Sequence, residues 1–434
     1  MLQRPFGTKP PDIEINPRDC PEVHAEDDPK QAVETVAALI HTLARALLSL
    51  GAPAHRIEGA MEMVASRLGV PCQFYSTPTA VIAALGEGAQ QHTYLIRSNP
   101  GSFDLGRLTE VHSALEKLGS RRTSATRCAH SVQRSMQRPA LYGSPMTVLA
   151  FLISSGCVAS LFGANLLEIA VATLIGAVTG LLAVLSERLP ALGRIFEPTA
   201  AALAATIAHV LATVVLPQGS TNPLLTTIAG LIVLLPGMGF TVAMRELATS
   251  QLVSGGARLA GALAAFMLIG FGMALGTQVT AAVLGPAPVP VATSPAWWLP
   301  FALLPVLAFG LTVLFKAHAR DGVWIFLAAC ITVSLTTLGQ NLGSPPLSAF
   351  LGALAVGMSG NLFSRYLKRP ATTIHIPGLL LLVPGSIGVR SLAELAQDEV
   401  VAGIQTAFVA LLVAVALAAG LLLANIIIKP RSEL

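Results

Sequence analysis

Leu231–Leu247 reads LIVLLPGMGFTVAMREL, and Leu379–Leu395 reads LLLLVPGSIGVRSLAEL. A single offset of 148 residues superposes Pro236 on Pro384, Gly237 on Gly385, and Glu246-Leu247 on Glu394-Leu395 without a gap. Each stretch is an apolar run interrupted by Pro-Gly. Proline removes a backbone donor and glycine loosens the helix, so each is predicted to break a membrane span. Broken backbone inside a bilayer must be buried in protein or face water, which makes it a place for a polar solute.

Ten apolar segments surround these motifs, at about 145–164, 166–186, 198–216, 223–243, 257–284, 297–316, 322–338, 345–364, 374–392 and 400–428. Each approaches the ~20 residues that cross a hydrocarbon core. Both motifs fall in the fourth span of a group of five. Five is odd, so the second group is predicted to run inverted relative to the first, an arrangement typical of secondary transporters. The expected fold is thus an α-helical polytopic membrane protein of ten transmembrane helices in two inverted five-helix repeats, 144–285 and 297–429. The whole 434-residue chain agrees: 53% hydrophobic, 12% charged and a mean hydropathy of +0.68. An average soluble chain is about one-quarter charged. A net charge of +4 calls for no polyanion, so no nucleic-acid partner is implied.

Charge sets the orientation. With the N-terminus inside, the inner loops and C-terminus hold Arg188, Arg194, Arg245, Arg258, Lys316, Arg320, Arg365, Lys368, Arg369, Lys429 and Arg431, and the outer loops hold Arg390 alone. Both termini are therefore predicted to be cytoplasmic.

Polar residues cluster after each break: Thr241, Arg245, Glu246, Ser254 and Arg258 in the first repeat, and Ser386, Arg390 and Glu394 in the second. A zwitterion needs an acceptor for its ammonium and donors for its carboxylate, and this set supplies both. The competing reading places Arg245 and Glu246 at the membrane boundary and makes Pro-Gly a plain kink. His209 is the deepest titratable residue of span three, either a proton carrier or a packing donor. Glu168 and Glu197 read as interfacial.

Residues 1–143 have an ordinary soluble composition, with 15 Lys/Arg and 14 Asp/Glu. Residues 1–29 are acidic and proline-rich and read as a disordered cytoplasmic tail, with no signal-peptide core. Residues 30–140 are predicted to form a small cytoplasmic α+β domain. It has helices on the Val33–Leu47 and Ile57–Leu68 stripes, β runs at 72–76, 79–85 and 93–98, an Asp104-capped helix, and a basic helix over roughly 120–137. His55, Arg56 and Glu58 open the second helix, and Ser76-Thr77-Pro78-Thr79 forms a turn. Ser, His and Glu are the raw material of a hydrolase, yet there is no G-x-S-x-G elbow, P-loop or HExxH, and local caps and a turn account for the same residues. The five cysteines are scattered without a CxxC pair, so no metal or disulfide framework is implied. No cofactor is expected.

The strings PAHRIE (Pro53–Glu58), STPT (Ser76–Thr79), FDLGRL (Phe103–Leu108) and PGMGFTVAMRELATSQLVSGGARL (Pro236–Leu259), followed by PGSIGVRSL, resemble the bacterial threonine/serine exporter family. The likeness runs from about residue 33 to 428. It implies a cytoplasmic domain fused to ten spans in the bacterial inner membrane. It further implies export of L-threonine and L-serine, driven by the proton motive force. The matched positions are His55, Arg56, Glu58, Pro236, Gly237, Thr241, Glu246, Ser254, Arg258, Pro384, Gly385 and Ser386. The second motif lacks the Ser-Gly-Gly-x-Arg stretch. A split form of this fold is associated with succinate export, so a dicarboxylate exporter is the alternative, and a membrane-anchored hydrolase or sensor is a third. The expected partners are an amino acid, protons, lipid and a possible second copy of the chain.

Overall fold

The computed structural model describes residues 29–88, 91–99, 101, 103–291, 297–341, 344–382, 387–388, 391, 394 and 400–429. The N-terminal part packs four helices, α1 (Pro29–Ser49), α2 (Ala54–Arg67), α3 (Leu105–Gly119) and α4 (Ala125–Gln137), with a three-stranded antiparallel sheet. The sheet order is β1 (Cys72–Thr77), β2 (Ala80–Leu85), β3 (His92–Arg97). Alternation decides its faces: Val81, Ala83, Leu85 and Ile96 enter the helical core, while Tyr75, Ile82 and Leu95 lie in register on the exposed side. The Asp104 side chain accepts the Arg107 amide and starts α3, as its sequence position predicts. The basic helix begins at Ala125 because Ser124 caps it.

The apolar part continues with α5 (Ser144–Leu161), α6 (Leu166–Arg188), the short α7 (Pro190–Gly193) and α8 (Phe196–Val210), which ends in a π-turn, then α9 (Pro223–Gly230), α10 (Gly237–Ala248) and α11 (Leu252–Leu284). After it come α12 (Leu299–Leu314), α13 (Gly322–Asn341), α14 (Pro345–Leu367), α15 (Thr372–Leu382) and α16 (Val400–Ile427). Among the described residues, seven helices are long and apolar enough to cross a membrane, with shorter apolar helices at Leu299–Leu314 and Thr372–Leu382.

The fourth apolar segment is broken, but upstream of Pro-Gly rather than at it. Helix α9 stops at Gly230, Leu231–Leu235 is irregular, and Pro236 occupies the N-cap of α10. Proline disfavours helical conformation in the residue before it and is at home where a helix starts, so the turn preceding it unwinds. The corresponding helix α15 is described up to Leu382, and Pro384, Gly385 and Ser386 lie outside the described residues.

Packing repeats along the chain. Helix α8 lies on α11, and α14 lies on α16. Both contacts depend on a glycine: a Cβ on Gly272 would collide with Pro198 O, and one on Gly420 would sit 2.6 Å from Phe350 O. These glycines are again 148 residues apart. So are Gly230 and Gly378, whose carbonyls accept hydroxyls from neighbouring helices, Ser155 Oγ at 3.1 Å and Thr332 Oγ1 at 3.4 Å.

Candidate functional site

Two features lie at opposite ends of the bundle. The first is a junction with the N-terminal domain. Pro53 precedes α2, so the first amide left without an intrahelical partner is Ala54 N. It donates to Glu246 Oε1 at 2.9 Å, so a carboxylate from α10 caps a helix of the other domain. Glu246 is fully buried. It also accepts Ser254 Oγ at 2.9 Å and pairs with Arg258, whose Nε is 3.1 Å from Oε2. Arg258 in turn donates to Ala52 O at 3.0 Å. Beside this knot, Glu58 accepts the Ser76 amide at 2.7 Å and the Gln251 side-chain amide at 2.9 Å. Burial raises the Glu58 pKa, and those two hydrogen bonds oppose the shift. His55 is pushed down to about 3, first by burial and then by Arg245, Arg56 and Arg258.

The same domain also grips the second half. The first-turn amides of α3 reach the carbonyls that end α12: Leu105 N to Phe315 O at 2.9 Å and Gly106 N to Lys316 O at 3.1 Å. Tyr142 Oη donates to Ala317 O at 2.9 Å. Orphan donors of one helix thereby meet orphan acceptors of another.

The second feature is a cavity of about 830 Å³ at the end of the bundle away from this domain. It is lined from both halves: Ser154 and Ser160 of α5, Asn222, Ile232 and Val233 of the broken segment, and Thr336, Thr337 and Ser348 of α13 and α14. Leu380–Leu382 and Ile387, which flank the second Pro-Gly, line it too. That volume lies in the range of small-molecule sites. Ser154 is 1% exposed and its hydroxyl has no hydrogen-bond partner among the described atoms. No charged side chain appears among the described lining residues.

The sequence-predicted residues divide between these places and others. Glu246, Ser254, Arg258, His55, Arg56 and Glu58 gather at the domain junction. The Arg245 Nε is buried there without a partner. Pro236 and Gly237 start α10, and Thr241 folds back onto the Gly237 carbonyl at 3.1 Å. His209 is buried, its Nε2 lies 3.0 Å from Gly285 O at the end of α11, and its Nδ1 has no hydrogen-bond partner among the described atoms. Thr77 closes its turn on Ala80, and Thr79 is exposed. No hydrogen bond joins the buried Ser76 hydroxyl to His55. Glu394 accepts Thr406 Oγ1 at 2.6 Å. Arg390 lies outside the described residues. Sequence reasoning missed the cavity hydroxyls Ser154, Thr336, Thr337 and Ser348. Each is a single small polar residue in an apolar run, and nothing in the sequence sets them apart from packing serines and threonines. Among the described residues no His/Cys/Asp/Glu group could hold a metal.

Two family models match the chain. One, described as "Putative threonine/serine exporter", covers residues 38–280, and the other, "Threonine/Serine exporter, ThrE", covers 300–427. Curated relatives include the pheromone-regulated membrane protein 10 of Eremothecium gossypii, 27% identical over 404 residues, 90% of this chain and 53% of the relative. The protein of that name from Kluyveromyces lactis is 26% identical over 84% of this chain and 38% of its own length. An uncharacterized protein of Schizosaccharomyces pombe is 25% identical over 84% of this chain and 48% of its own. The chain spans about half the length or less of these yeast relatives. No solved structure matches.

Proposed function

The chain belongs to the threonine/serine exporter family, and from that premise we propose that it is a secondary transporter moving small hydroxy amino acids, L-threonine and L-serine, outward across a bacterial inner membrane. The observation that carries this reading is the 830 Å³ cavity shared by both halves where the fourth segment is broken. Its walls are mostly apolar, and the polar side chains among its described lining residues are hydroxyls, the Asn222 amide and the Trp297 indole. Hydroxyls both accept and donate, so this lining can meet an ammonium and a carboxylate on one small zwitterion, whereas a dicarboxylate needs cations, and none appears among the described lining residues.

The fold proposed with it is ten spans in two inverted halves, α5–α11 and α12–α16, with both termini cytoplasmic. The paired contacts α8–α11 and α14–α16, with Gly272 and Gly420 at one offset, support it. The proton gradient is the proposed energy source, since the sequence carries no P-loop. In this reading the cavity faces outward while the N-terminal domain seals the inner side by holding both halves at once. Return to an inward-facing state then requires the Glu246 knot or the α3–α12 contact to open.

The test is efflux of labelled threonine, serine and succinate from proteoliposomes, with and without a pH gradient. The reading expects threonine and serine efflux accelerated by the gradient. Succinate efflux alone would replace it with the dicarboxylate alternative.

A further inference from the structure

The charges at the domain side of the bundle are unevenly shared between its halves. Where α6 ends and α8 begins, Arg188 and Arg194 are balanced by Glu187 and Glu197. Arg258 is taken into the junction with the N-terminal domain by Glu246 and Ala52 O. The second half differs. Between Gly285 and Glu394 the sequence holds one acid, Asp321. Lys316, Arg320, Arg365, Lys368 and Arg369 lie beside it, where α12 and α14 end and α13 begins. Asp321 is buried and already holds Arg369. Arg320, Arg365 and Lys368 are exposed, and among the described residues no ion pair involves them or Lys316.

The N-terminal domain extends this basic rim. From Ser120 to Arg138 the chain holds five arginines and no acid. Helix α4 spends its apolar face, Ala125, Cys128 and Val132, on the domain core, which leaves Arg127 and Arg134 exposed. The chain after α4 runs beside the end of α12. Arg107 Nη2 donates to Arg138 O at 2.7 Å, and a Cβ on Gly106 would meet both Leu141 and Lys316 O at 2.7 Å. The acids here are matched: Asp104 caps α3 and lies 3.6 Å from Arg107, and Glu110 accepts Arg138 at 2.8 Å as well as the Ser135 hydroxyl. What remains outward is positive. Its depth follows from the helices, since these cations stand where apolar spans begin or end. Tyr366, 75% exposed beside Arg365, is an amphipathic ring of the kind that lies at headgroup level.

We propose that this rim, from Arg134 across Lys316 and Arg320 to Arg365 and Lys368, binds the headgroups of anionic phospholipid in the leaflet next to the N-terminal domain. Its cations are spread along the ends of several helices rather than gathered in one pocket, which fits a row of separate headgroups and not one soluble phosphate. A zwitterionic headgroup carries its own cation, which cancels most of the attraction, so the preference is for net negative lipid. The surface takes residues from the N-terminal domain and from the second half, so lipid held there favours their docked arrangement.

Electron spin resonance of the full chain in phosphatidylcholine nanodiscs, doped in turn with spin-labelled phosphatidylglycerol and spin-labelled phosphatidylcholine, tests this. The lipid slowed by the protein should be enriched at least about threefold in phosphatidylglycerol over phosphatidylcholine. The preference should fall towards parity in about 1 M salt. A combined Arg134→Gln, Arg320→Gln and Arg365→Gln variant should lose most of it while melting at an unchanged temperature in uncharged detergent, because these side chains are exposed and have no ion pair among the described residues. Arg188→Gln with Arg194→Gln, on the balanced rim, should leave it intact. Equal slowing of the two lipids, an undiminished preference in the folded triple variant, or an equal loss from the Arg188 and Arg194 pair would each overturn the proposal. Displacement of the labelled lipid by an equal concentration of glycerol phosphate would also overturn it and assign the surface to a soluble anion. The readout involves no transport, so it stands or falls apart from the exporter reading.

Discussion

The two ends of the helical bundle solve opposite problems. At the end that meets the N-terminal domain, a buried carboxylate is fully matched: Glu246 receives Ala54 N, Ser254 Oγ and Arg258. At the other end a cavity of about 830 Å³ lies between the halves, with scattered hydroxyls and no described charge on its walls. A closed ionic knot is costly to break once, because removing one partner strands the others in a dry place. A cavity walled by hydroxyls and apolar groups has no such knot to break. Under the proposed transport function, the contrast is that of a passage shut at one end by strong, specific contacts and open at the other.

The sharpest way to break this comparison is Glu246→Ala. It strands Arg258 and the α2 amide, and a loss of about 3–5 kcal/mol is expected in the thermal or denaturant stability of the docked domain. Protease accessibility of the N-terminal domain in membranes should rise with it. Pro236→Ala is next. It permits helix through the irregular Leu231–Leu235 segment, and threonine efflux should fall severely while membrane insertion is retained. Ser154→Leu, which fills the cavity, should abolish efflux, whereas Ser154→Ala, which removes one buried hydroxyl, should weaken apparent threonine affinity about fivefold. If both Ser154 variants transport normally, the cavity is not the route.

Acidity separates the ends more gently. The folded pKa of His55 is about 3 against an ordinary 6.5, so the unfolded chain binds its proton first. Docked-domain stability should therefore decline as pH falls from about 6.5 towards 3, and His55→Asn should flatten that slope. A pH-melting series compares the two directly. The smallest change is expected for Tyr142→Phe, which loses the single bond to Ala317 O and about 1 kcal/mol.

Most of the scaffold could be read from the chain. The strands fall within a residue or two of the predicted runs, Asp104 caps α3, and the helix boundaries follow the apolar segments, because burial periodicity and caps are local signals. The break was legible in kind but displaced in position, since proline acts on the residues before it. The junction was legible only as a list of residues. His55, Arg56, Glu58, Glu246, Ser254 and Arg258 stood out as motif members, but what unites them includes Ala52 O and Ala54 N, backbone atoms that no sequence pattern marks. The cavity was illegible because its lining comes from several helices, one hydroxyl at a time.

The most direct measurement uses one cysteine at Thr337, in an otherwise cysteine-free chain, labelled from outside intact cells with a membrane-impermeant thiol reagent. The account predicts rapid labelling that external threonine slows, since Thr337 lines the cavity proposed to face outward. Labelling only from the side of the N-terminal domain, or at a rate indifferent to threonine, would contradict it.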